Sequence, residues 1–113
     1  MSSVEAVFAG KQAVALETYR ALAARVGAFG PFEAAAKTAS IHLNRRSAFA
    51  GVHPRKAAIL LVIRTAAPIE SPRVRKLERV SAHRWHNELL LSAPAEVDDE
   101  VMGWLGEAYA LSG

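Results

Sequence analysis

Residues 57–64, Ala-Ala-Ile-Leu-Leu-Val-Ile-Arg, leave almost no face for water. The run is far shorter than the roughly 20 apolar residues that cross a bilayer. It is rich in β-branched residues and bounded by turn formers, the signature of a strand covered on both faces or nearly so. Ala57 to Arg64 is therefore the expected central strand of a sheet, and the rest of the chain must supply its neighbours and its cover. On the N-terminal side, Ala39, Ile41 and Leu43 alternate with Thr38, Ser40 and His42, which predicts a half-buried strand. Asn44-Arg45-Arg46 reads as a tight turn, Ser47 to Val52 as a return strand carrying Phe49, and His53-Pro54-Arg55 as a second turn. On the C-terminal side, Pro68 to Pro72 is a loop, Val74 to Val80 a strand by its flanks, and Trp85 to Leu91 the last strand.

The ends of the chain read as helices. Ser2-x-x-Glu5 has capping-box spacing, so a short helix runs to Ala9 and stops at Gly10. A second helix spans Lys11 to Val26, with Leu16, Tyr19, Leu22 and Val26 at helical spacing and Gly27 as its C-cap. Gly30-Pro31 ends the helical region. After Pro94, Glu96, Asp98, Asp99 and Glu100 crowd where a helix N-terminus favours negative charge. Val97, Val101, Trp104, Leu105 and Ala108 then mark one face of a final helix ending near Leu111. The expected fold class is α+β: N-terminal helices, an antiparallel sheet of about five strands and a C-terminal helix, with the helices packed on one sheet face. A single domain spans residues 1–113. Thr38, Ser40 and His42 would line the open face.

Composition removes several function classes. The chain has no cysteine, which excludes disulfides, thiolate metal sites and cysteine nucleophiles. No basic segment precedes a long apolar one at the N-terminus, so a cytoplasmic protein without a membrane span is expected. Charge is unevenly placed. Residues 37–84 hold eleven Lys/Arg against Glu70 and Glu78, whereas residues 85–113 hold six acids and no Lys or Arg. Such a layout attracts a polyanion or neutralises itself on folding.

Several pieces occur in an order similar to one bacterial family. They are Gly30-Pro31-Phe32, Lys37-Thr38, Phe49-Ala50-x-Val52, Pro72-Arg73, Ser81, and the closing Asp98-Asp99-Glu100 with Trp104-Leu105-x-Glu107-Ala108-Tyr109. Nearly end to end, the chain resembles the domain of unknown function numbered 5655. The resemblance implies a small α+β module and brings no catalytic residues. Many members carry His-His on the last strand where this sequence has Asn87-Glu88. The organisation is also similar, at fold level, to small bacterial proteins of the frataxin-like, iron-chaperone type.

No Gly-rich phosphate loop, Gly-x-Ser-x-Gly elbow or His-Glu-x-x-His motif is present, so no catalytic residue and no cofactor is assigned. Three functional classes stay open, in this order. The first is a non-enzymatic module binding an anionic partner. A small ligand would be held by Lys37, Ser40, His42 and Arg46; a nucleic acid would be held by Arg45, Arg73, Arg75, Lys76, Arg79 and Arg84. Phe49 and Trp85 are the only aromatics near that basic set, a thin stacking platform. The second class is metal handling through His83, His86 and Glu88 with His42 or His53, although residues three apart on a strand face opposite ways. The third is an enzyme acting on the open sheet face. Docking onto a protein partner would need none of these groups, and oligomeric state is not legible. The bland alternative for the Thr38-Ser40-His42 stripe is a solvated β face.

Overall fold

The computed structural model describes residues 3–113. Within them the apolar run becomes β4 (Ile59–Thr65), an inner strand. β4 pairs with β3 (Ala48–Pro54) on one side and β6 (Arg84–Leu91) on the other. β2 (Ile41–Asn44) and β1 (Glu33–Ala36) extend the sheet beyond β3, and β5 (Lys76–Ser81) extends it beyond β6. The order is β1-β2-β3-β4-β6-β5, and every pairing is antiparallel. The sequence led us to expect about five strands; the sixth is β1. Its Glu-Ala-Ala-Ala has neither alternation nor β propensity, so only its pairing with β2 makes it a strand.

Several boundaries also move, among them the start of the second helix, read at Lys11 and found at Ala13, and the strand read as Val74 to Val80, found at Lys76–Ser81. The alternation from Thr38 is strand only from Ile41, because Thr38 and Ala39 lie exposed in a hairpin loop closed by Lys37 N–H donating to the Ser40 carbonyl at 2.7 Å. His53 and Pro54 are the last residues of β3, not a turn; the chain reverses after them, where Arg55 N–H donates to the Ala58 carbonyl. β3 also carries a bulge. Leu43 pairs with Ala50 and Asn44 with Ala48, so Phe49 is the extra residue and turns inward beside Ala50. Its ring meets Tyr109 edge-on at 5.4 Å.

One sheet face is the core. Ile41, Leu43, Val52, Ile59, Leu61, Ile63, Leu89 and Leu91 are buried there. Two helices cover it. α2 (Ala13–Val26) contributes Ala15, Tyr19, Leu22 and Val26, and α3 (Asp99–Leu111) contributes Val101, Leu105, Ala108 and Tyr109, each set at helical spacing. A short α1 (Val4–Val7) precedes them, with Ser3 Oγ accepting from Ala6 N–H. The capping residue read at Ser2 lies outside the described residues. At the other end, Asp98 caps α3 by accepting from Val101 N–H at 3.1 Å.

The opposite sheet face has no helix over it, so β4 is covered fully on one side and in part on the other. Val62 and Arg64 are half-buried there, and Leu60 is shielded by its row neighbours, His53 and Leu90. Among the described residues, no helix is long and apolar enough to cross a membrane.

Candidate functional site

Strand register assembles the open face. His42, Gly51, Val62, Glu88 and Lys76 stand opposite one another across β2, β3, β4, β6 and β5. In a neighbouring row Arg64 faces His86, and His86 faces Glu78. His53 lies two residues from Gly51, hence on the same face. Together these nine residues line a cavity of about 180 Å³. Gly51 keeps its floor low: a Cβ there would meet nothing nearer than His53 Nε2, at 3.8 Å.

The charges are not evenly matched. Glu88 lies 3.9 Å from Arg75 Nε, and Glu78 Oε1 lies 3.7 Å from His86 Nδ1, so each carboxylate has a basic neighbour. Arg64 does not. Burial and then the nearby Arg84 push its pKa below the ordinary arginine value, and among the described residues its guanidinium makes no ion pair. Burial, then Lys37, Arg64 and His53, hold His42 below the ordinary 6.5. Burial and then Arg64 do the same to His86, against an opposing pull from Glu78. Both imidazoles are therefore neutral at neutral pH and ready to gain a proton if a negative charge arrives.

Of the four residues predicted to hold a small ligand, only His42 lines the cavity. Lys37 and Ser40 occupy the β1–β2 hairpin at one end of β2, near enough for Lys37 to act on His42. Arg46 sits beyond the other end of β2, where its N–H donates to the Ser112 carbonyl at 3.1 Å. Four strand residues at about 3.3 Å each separate it from Ser40.

The predicted nucleic-acid set also divides. The Arg45 guanidinium lies 4.4 Å from the Tyr109 ring centroid and donates to the Tyr109 carbonyl. Arg73 donates to Asp98, Glu100 and the Glu96 carbonyl, all within 3.0 Å. Both arginines hold α3 in place. Arg75, Lys76, Arg79 and Arg84 gather on the β5–β6 hairpin, but Lys76 faces the cavity while Arg79 turns to the other side, over Trp85. The metal reading gains no ligand set: among the described residues no group of three or more His, Asp or Glu can hold an ion.

Sequence reasoning missed Arg64 and Glu78 as site residues, and it singled out His53, His86 and Glu88 only as metal ligands. A lone arginine closing an apolar strand was the available signal for Arg64.

A family model described as Domain of unknown function (DUF5655) matches residues 4–112. The chain belongs to the DUF5655 family. That description names no activity, so membership carries no residue roles. Comparisons with curated proteins and with solved structures give no match, and the frataxin-like likeness has no support from them. The two positions read as His-His in many DUF5655 members have opposite fates here. Asn87 is fully buried on the core face, whereas Glu88 faces the cavity.

Proposed function

We propose that this DUF5655 protein is a non-enzymatic, cytoplasmic bacterial module that binds a small anion on the open sheet face. The observation that carries this reading is Arg64, a half-buried cation of the cavity wall that makes no ion pair among the described residues and has Arg84 near it. Glu78 and Glu88 also line the cavity but sit beside His86 and Arg75, and a cation kept partly out of water and not ion-paired gains from an incoming anion. His42, His53 and His86 line the same cavity with hydrogen-bonding nitrogens, as does Lys76. Size limits the ligand. At about 180 Å³ the cavity is smaller than the roughly 300–1,000 Å³ of drug-sized sites, so it takes an ion or the carboxylate, sulfate or phosphate end of a larger molecule.

Sulfate is the simplest probe because it stays dianionic across the working pH range. An anion favours protonated imidazole, so affinity should rise as pH falls below 6.5 toward the lowered pKa values of His42 and His86. Arg64→Gln should weaken binding by about tenfold to a hundredfold, the worth of one charge-assisted hydrogen bond. Calorimetric titration at pH 5.5 and 8 reads both effects. Equal affinity in wild type and Arg64→Gln would remove the site. Binding of single-stranded nucleic acid but not sulfate would move the reading to Arg75, Lys76, Arg79 and Arg84 on the β5–β6 hairpin.

A further inference from the structure

A second, larger cleft lies between α3 and the β4–β5 loop and shares no residue with the anion cavity. It measures about 610 Å³, within the range of organic-ligand sites. One wall is residues 66–70; the other is Trp104, Glu107 and Leu111, which share a face of α3 by their spacing. Leu111 is 56 % exposed at its mouth.

The loop wall is fixed from beneath. Thr65 Oγ1 donates to the Ala67 carbonyl at 2.6 Å, and Ile69 N–H donates to Asn87 Oδ1 at 2.8 Å. Asn87 Nδ2 donates in turn to Thr65 Oγ1 and the Ile63 carbonyl. A wall anchored by buried hydrogen bonds is already in its binding shape, which lowers the ordering cost of a ligand.

The lining is apolar except for Thr65 and two carboxylates, Glu70 and Glu107, and it contains no Lys, Arg or His. Among the described residues neither carboxylate forms a salt bridge. An apolar cleft with an indole wall and two unpaired carboxylates is complementary to a positive charge on an apolar body. We infer that this cleft binds a small organic cation, an amine or quaternary ammonium carrying an aromatic or branched apolar group. The carboxylates take the charged nitrogen, Trp104 adds its ring face, and Ile69 and Leu111 cover the body.

The test uses matched pairs that differ in charge: tryptamine against tryptophol, and 3-methylbutylamine against 3-methylbutanol, titrated into the intact protein by calorimetry. Each cation should bind at least about tenfold more tightly than its neutral partner. Glu107→Gln and Glu70→Gln should each reduce that advantage, and Trp104→Leu should weaken tryptamine. Sulfate titration of Glu107→Gln serves as a fold check and separates this site from the one at Arg64, because its sulfate affinity should stay at the wild-type value. No binding by either cation, or equal binding by charged and neutral partners, would overturn the inference. So would a lysine-bearing peptide that occupies the cleft when neither amine does, since that outcome assigns a protein-docking surface.

Discussion

The covered face of the sheet is held in two different ways along a single strand. At its C-terminal end β6 presents Leu89 and Leu91 to the core beneath the helices. At its N-terminal end the same face presents Asn87 and the half-buried Trp85, and a loop rather than a helix lies over it. Where helices reach, interchangeable apolar contacts suffice. Where they stop, each covering residue is fixed by a particular hydrogen bond: Ile69 by Asn87, the Ala67 carbonyl by Thr65, and Arg73 by Asp98 and Glu100. Apolar cover spreads its stabilisation over many neighbours, whereas polar cover concentrates it in a few atoms.

Leu61→Ala gives the largest expected effect. It opens a cavity under the helices and should cost about 2–5 kcal/mol, read as a drop in urea midpoint with unchanged slope. Asn87→Ala should cost less, about 1–3 kcal/mol, by leaving buried partners at Ile63 and Ile69 unsatisfied. It should also speed amide exchange in residues 66–75 while the helix-covered half stays protected. If both halves loosened together, the division would be wrong. Asp98→Ala should be the smallest, about 0.5–2 kcal/mol, from loss of the α3 cap. The Asp98 carboxylate adds a pH signature. The Val101 N–H, and then Arg73, hold its pKa below the ordinary 3.8, against the pull of burial. Its contribution is therefore present above pH 3.8 and lost as pH falls through the lowered value, and thermal melts of Asp98→Ala should lack that acid limb.

The helix-covered half was the legible half. Leu22 and Val26 on α2, Leu105 and Ala108 on α3, and the β4 run all follow from periodicity, because apolar burial imposes its period on sequence. β1 was illegible because its three alanines neither favour nor forbid a strand. The anion cavity was only partly legible. His42 lies on the face that alternation predicts, but its meeting with Arg64 and His86 depends on the register of β2, β3, β4 and β6, which no local pattern encodes. The partners of two arginines were hidden for a related reason. Arg45 and Arg73 look like free charge in sequence, yet their partners lie 64 and 25 residues away.

Tyr109 donates its hydroxyl to the Pro31 carbonyl, 78 residues earlier. Gly30, at φ 141°, gives it room, since a Cβ there would sit 2.6 Å from that hydroxyl. Nearby, the Ser112 carbonyl receives the N–H groups of Arg46 and Ser47. A chain emerging from the ribosome thus completes all of its strands before the residues that fasten the first of them exist. At about 5–20 residues per second, the roughly twenty residues after Leu91 take about 1–4 s to synthesise. For that interval Phe49, Leu61 and Ile63 await part of their cover, and it is then that the nascent protein is most open to capture by a chaperone or by another unfinished copy of itself.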